Sequence, residues 1–129
     1  VPAIRRTPTM QTAIDHVRQF FFNTDLTVCD FPTRDKTNNS NSWFKFGFPL
    51  LYASDMLEVL EAMTRLGDGQ DPRLEAAWEL VIGKQNAQGR WSMEYSYNDR
   101  MWSDIEQVGK PSKWVTLRAL RALKEAFPD

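Results

Sequence analysis

Residues 83–91, GKQNAQGRW, close one amphipathic helix and decide how the chain on either side is read. Upstream, Asp71 can accept from the first free N–H groups of a helix, and Pro72 suits its opening turn. A helix is therefore predicted from Asp71 to about Gln85, burying Leu74, Ala77, Trp78 and Val81 on one stripe. Gln85 can reach backbone groups of the neighbouring turn with both ends of its amide. Gly89 offers the left-handed conformation that leads the chain out of the helix. Trp91 then folds back with a large apolar face and one N–H donor. Together the three predict a helix end stapled to the loop that follows.

Three more helices are predicted on either side. Thr7 and Pro8 open the first, with Met10, Ala13, Ile14, Val17, Phe20 and Phe21 on one stripe. The second runs from near Pro49 to Gly67, with Met56, Leu57, Leu60, Met63 and Leu66 on its apolar side. The last runs from about Ser112 to Phe127 and carries Leu117, Leu120, Leu123 and Phe127 with alanines between them. No strand pattern competes, so an all-α fold is expected, in one domain of 129 residues. The segment 24–48, with DFPTRDKTNNSNS at 30–42, is polar and long for a connection, and is expected to be functional or mobile.

The second and fourth helices look like copies. MLEVLEAM (56–63) lies over TLRALRAL (116–123), matching Leu57 with Leu117, Leu60 with Leu120 and Met63 with Leu123. Each copy is led in by a tryptophan and a Gly-x-Pro: Trp43, Gly47 and Pro49 in one, Trp102, Gly109 and Pro111 in the other. The chain then divides into one helical hairpin over about 8–67 and another over about 71–127. The period of about 60 residues is above the usual solenoid range.

The series Ala77, Trp78, Val81, Ile82, Gln85, Gly89, Trp91 resembles the QW motif of the squalene–hopene and oxidosqualene cyclases. With TLRALRALK downstream, the stretch is similar to the repeat of the wider α/α-toroid superfamily, which includes protein prenyltransferase β subunits. The resemblance covers residues 50–127, and the first hairpin by analogy. It implies two helical hairpins forming part of an α/α-toroid-like arc, with the second and fourth helices inner and the first and third outer. Two hairpins do not close a ring, and about three repeats are usually needed for stability. A homo-oligomer, or the remainder of a longer chain, is the implied partner, and a start at Val1 without methionine fits a processed product or a piece. The cyclases protonate an alkene with an Asp-x-Asp-Asp motif that does not occur here. The prenyltransferases bind zinc through Asp, Cys and a later His, whereas here Cys29 adjoins Asp30 and the only histidine, His16, lies upstream. No metal and no cofactor are therefore expected.

Composition narrows the classes further. A net charge of −1, from 16 basic and 17 acidic side chains, gives no field to attract nucleic acid or an anionic membrane. Arg118, Arg121 and Lys124 read as a solvated helix face. The apolar runs fall short of the roughly 18 residues of a membrane span, and VPAIRRTPT lacks the apolar segment of a secretory leader. A single cysteine excludes an internal disulfide and fits a reducing compartment, so a cytoplasmic location is expected. There is no P-loop and no dinucleotide glycine pattern, and any Ser–His or Cys–His nucleophile would depend on His16.

Two aromatic loops hold the remaining chemistry. SWFKFGFPLLY (42–52) and WSMEYSYNDRMWSDIE (91–106) lead into the inner helices from the same end and are expected to be neighbours. Trp43, Phe46, Tyr52, Trp91, Tyr95 and Trp102 are the predicted binding residues for an apolar small molecule or partner, by stacking and cation–π contacts. Asp55, Asp104 and Glu106 are the candidate acid–base carboxylates. Asp55 also suits a first helical turn for purely structural reasons. Lys110 and Lys113 are expected to pair with Asp104 or Glu106. The expected function is a non-catalytic helical-repeat module with an aromatic-lined concave surface. The alternatives are an enzyme, terpenoid-type or carbohydrate-active, using the loop carboxylates, or a purely structural interaction module.

Overall fold

Three of the four α-helices begin where a side-chain oxygen accepts from their first free amides, and the other continues a 3-10 turn that is capped in the same way. In the computed structural model, which describes residues 2–29 and 42–128, four α-helices form and no β-strand does. They are α1 (Pro8–Phe22), α2 (Met56–Leu66), α3 (Glu75–Gly83) and α4 (Lys113–Ala126). Thr7 accepts from the Met10 N–H at 3.2 Å and Ser112 from the Val115 N–H at 3.0 Å. Asp71 caps a 3-10 turn, Pro72–Leu74, that runs straight into α3. Gly67, in the left-handed region at φ 94°, ends α2 as expected.

The second helix starts later than Pro49, at Met56, because the capping oxygen belongs to Asp55, which accepts from the Glu58 N–H at 2.8 Å. Residues just upstream are held instead by Tyr97, whose phenolic oxygen accepts from the Tyr52 and Ala53 N–H groups at 3.2 and 3.1 Å. Of the irregular segment 24–48, residues 30–41 lie outside the described residues.

α2 is the centre of the fold, packed by both α3 and α4. Leu57, Leu60 and Met63 are fully buried on it, joined by Leu74, Val81, Trp91, Met93 and Val115. Three buried tryptophans hold the surrounding segments by donating their indole N–H to backbone carbonyls. Trp43 reaches Leu26 at 2.7 Å, Trp78 reaches Gly69 at 2.8 Å and Trp91 reaches Val81 at 2.6 Å. Each pairing removes a donor and an acceptor that burial would otherwise penalise.

The end of α3 has the expected turn but a different polar anchor. Gly89 is left-handed at φ 74° and Trp91 is buried against the last turn of α3. Gln85, however, is exposed, and Asn86 ties the turn. Its side-chain oxygen accepts from the Gln88 and Arg90 N–H groups at 3.0 and 2.9 Å. An Asn side chain reaches the N–H two residues on directly, and the turn brings the Arg90 N–H back to the same oxygen.

The two ends of the helical stripe pattern also need correction. On α4 the buried residues are Val115, Arg118, Ala119, Ala122 and Ala126, while Leu117 and Leu120 remain 50% and 47% exposed. Alanines let the α4 backbone approach α2 closely, which the leucines would prevent. The sequence matches Leu57–Leu117 and Leu60–Leu120 thus join positions in opposite environments, as do Trp43 (7% exposed) and Trp102 (fully exposed). On α1 no residue is fully buried; Met10, Val17 and Phe20 stay largely exposed, and Phe21 and Phe22 make the core contact. Arg18 fastens α1 to the end of α2 by donating to the Asp68 carboxylate and, at 2.7 Å, to the Leu66 carbonyl.

The inward alanine face has a direct test by urea unfolding. Ala119→Leu is expected to cost about 1–3 kcal/mol by overpacking the α2–α4 contact, whereas Leu117→Gln stays within about 0.5 kcal/mol. The opposite ranking would put the leucines inside.

Candidate functional site

The two aromatic loops do lie together. Gly47 and Tyr95 form a parallel bridge, the Glu94 N–H donates to the Phe46 carbonyl at 2.9 Å, and the Phe46 N–H donates back to Glu94 Oε2 at 2.9 Å. A side chain at Gly47 would meet the Tyr95 carbonyl oxygen at 2.5 Å, so this approach requires glycine. Glu94 also binds Lys84 Nζ through both oxygens, at 2.6 and 2.8 Å, and that ammonium lies 5.0 Å over the Phe46 ring. Tyr95 and Tyr97 meet edge to face with centroids 4.9 Å apart. Burial and a hydrogen bond to Tyr97 push the Tyr95 phenol up to about 12, and the same bond draws Tyr97 down.

Behind this junction sits the charged centre of the molecule. Arg118 donates from Nη1 to Asp55 Oδ2 at 3.0 Å and from Nη2 to Asp55 Oδ1 at 2.9 Å. It also gives Nε and Nη2 to Glu61 Oε2 at 3.2 and 3.0 Å, and Nη1 to the Gly47 carbonyl at 2.9 Å. A planar fork matches a carboxylate in this two-pronged way, and the remaining donors find acceptors on two other segments. Arg118 was read from the sequence as part of a solvated face; it is 9% exposed. The signal that finds it is its register: it shares the stripe of Val115, Ala119 and Ala122, where a long side chain has room because its neighbours are small. Burial opposes the Arg118 charge, but the Asp55 and Glu61 carboxylates outweigh it and raise its pKa. Burial is also the largest influence on Glu61, pushing its carboxyl up against the pull of Arg118.

This geometry decides what each predicted residue is placed to do. Asp55 is 2% exposed, and both its oxygens are taken, by Glu58, Gly47 and Arg118. Asp104 stands exposed, while Glu106 Oε1 accepts from the Lys113 N–H at the start of α4, at 3.1 Å. Neither Lys110 nor Lys113 forms an ion pair among the described residues. Phe46 and Trp91 are core residues, Tyr95 is half-buried at the loop junction, and Tyr52 and Trp102 project into solvent. The six aromatics therefore do not converge on one surface. Cys29 is buried, which pushes its thiol up and away from thiolate reactivity, and Asp30 lies outside the described residues. Among the described residues, no three His, Cys, Asp or Glu side chains are grouped to hold a metal, and no helix is long and apolar enough to cross a membrane.

Trp43 does line a concavity. Between α1 and α2 runs an open groove of about 390 Å3 whose walls are Phe20, Phe21, Trp43, Val59 and Ala62, with Ser54 and Glu58 at its edge. In the sequence Phe20 and Phe21 fall on the apolar stripe of the first helix, a pattern that does not distinguish wall residues from core. No protein-family model, curated protein or solved structure matches the chain.

Two substitutions test the charged centre. Asp55→Asn keeps a cap acceptor but breaks the pair, and is expected to cost about 3 kcal/mol, the low end for a buried pair because Glu61 still faces Arg118. Arg118→Met leaves two carboxylates confronting each other and should cost more in the same urea titration. Glu61 gives a pH signature. Its raised pKa means that its contribution to stability is complete below the ordinary value of 4.5 and is lost as pH rises through the folded value. Glu61→Gln lacks that loss, so its stability relative to the parent chain should improve between about pH 4 and pH 7; a flat or falling difference in melting temperature contradicts the assignment.

Proposed function

We propose that the chain is a non-catalytic helical module, resembling a section of the terpenoid-cyclase and prenyltransferase toroids, that binds an apolar small molecule in the groove between α1 and α2. The observation that carries this reading is the groove itself. Its walls are three aromatic rings, a valine and an alanine, with only a hydroxyl and one carboxylate at the edge. Small-molecule sites are typically apolar concavities of about 300–1,000 Å3 with a few placed polar groups. At about 390 Å3 the groove is at the lower end, suited to a short isoprenoid or similar chain.

The acid–base alternative draws less support. It needs paired carboxylates free to exchange protons at a cleft, but Asp55 is committed to structural bonds, Glu106 Oε1 accepts from the Lys113 N–H at the start of α4, and Asp104 stands in solvent.

Native mass spectrometry of protein purified from cells tests the reading, followed by titration with a farnesol-length isoprenoid alcohol. The parent chain is expected to carry or take up one apolar molecule. Ala62→Trp fills the groove from an exposed position and should abolish uptake while leaving the melting temperature close to that of the parent. Uptake that persists in this variant places the ligand elsewhere, and no uptake by the parent chain removes the proposal.

A further inference from the structure

The groove between α1 and α2 carries one charged side chain among the described residues, and it is an acid. Glu58 stands in the first turn of α2, four residues before Ala62, so both lie on the same side of the helix and on the same wall. Ser54 adds a hydroxyl at the edge, and no lysine or arginine lines the groove among the described residues. The other acidic side chains on or beside α2 are engaged: Asp55 and Glu61 by Arg118, and Asp68 by Arg18. Glu58 is half-buried and takes part in no ion pair among the described residues. The groove is thus apolar along its walls and negative at its rim.

The walls supply the rest of what a cation needs. Phe20 and Phe21 meet edge to face, with centroids 5.2 Å apart and planes at 76°, and Trp43 completes the aromatic lining. Trp43 commits its N–H to the Leu26 carbonyl, so what it offers the groove is its ring. The face of such a ring carries negative potential and attracts an ammonium, more strongly where water is excluded. The same protein shows the completed arrangement at another place. The Lys84 ammonium is held by both oxygens of Glu94, at 2.6 and 2.8 Å, and lies 5.0 Å over the Phe46 ring. Glu58 with Phe20, Phe21 and Trp43 repeats the carboxylate and the rings around an open concavity of about 390 Å3.

On the reading that this groove is a ligand site, we propose that its ligand is an amphiphilic organic cation: an alkyl or isoprenyl chain ending in an ammonium group. The chain lies against Val59 and Ala62, and the ammonium sits between the Glu58 carboxylate and the aromatic rings. A chain ending in a carboxylate or phosphate would meet Glu58 with like charge and gain no counter-ion from the walls, so the same rim that favours a cation rejects an anion.

Isothermal titration calorimetry with two matched probes tests it: farnesol, and the same chain ending in trimethylammonium, both kept below their aggregation concentrations. The cation is expected to bind at least about tenfold more tightly at low salt, and its advantage should shrink as salt screens the half-buried carboxylate. Glu58→Gln should remove the advantage and leave the farnesol affinity unchanged. Glutamine suits the third position of a helix, so this variant should keep the parent melting temperature. Glu79→Gln is the control, because Glu79 lines a separate acidic concavity beside Trp78 and Phe127; it should leave the advantage intact. If the two probes bind the parent chain equally, if the advantage survives Glu58→Gln, or if it is lost in Glu79→Gln instead, the cation assignment is overturned while the groove stands as an apolar site. If neither probe binds, the ligand-site reading falls and the assignment with it.

Discussion

A guanidinium taken out of water must place its five N–H donors on acceptors, and the fold is arranged around one that does. Arg118 reaches across from α4 to the cap of α2, to Glu61 nearly two turns further along, and to the backbone of the loop at Gly47. A hydrophobic contact of the same area would tolerate a shift of α4 along its axis. The two-pronged bond to Asp55 does not, because a slip of one residue would turn the fork away from the carboxylate. Buried ion pairs contribute little net stability once desolvation is counted. Here the contribution is to position: the pair fixes which face of α4 is inward, and the alanines beside it set the distance.

The same network accounts for the reach of the structure into the loops. Asp55 holds the Gly47 N–H while Arg118 holds the Gly47 carbonyl, so one residue is fixed from both sides. That residue is the one whose missing side chain admits Tyr95. From there the order passes through Glu94 to Lys84, and through Tyr97 to the chain ahead of α2. The carboxylates and phenols that looked like site chemistry in the sequence are, in large part, the fastenings of this junction.

Much of the fold was legible in the residues. Thr7, Asp71 and Ser112 cap as their side chains predict, Gly67 and Gly89 turn the chain where a left-handed residue is needed, and Trp91 folds back onto α3. These signals are local, acting within one turn of the residue that carries them. What the sequence did not reveal depends on distant partners. Leucine is the usual core residue of a helix, so a stripe of Leu117, Leu120 and Leu123 reads as the inner face. Only the presence of Asp55 and Glu61 on α2 makes the neighbouring stripe, with its arginine, the one to bury. The late start of α2 has the same origin, since Pro49 is an acceptable opening residue until Tyr97 arrives to hold the segment otherwise. The candidate site was legible in part: Trp43 was chosen for its aromatic loop, while Phe20 and Phe21 were hidden in a pattern that looked like ordinary packing.

The distance along the chain between the members of the charged centre matters for how the protein is made. Asp55 and Arg118 are separated by 63 residues, and Gly47 and Arg118 by 71. At ordinary ribosomal rates, roughly 3–13 s pass between the synthesis of Asp55 and that of its counter-ion. Throughout that interval α2 has its cap but not the helix that covers Leu57, Leu60 and Met63. Contacts this remote in sequence also slow the search once the chain is complete, because a long loop must close before they form. A growing chain of this protein therefore presents apolar surface to its surroundings until α4 has emerged, and its vulnerability to misassociation is concentrated in that interval.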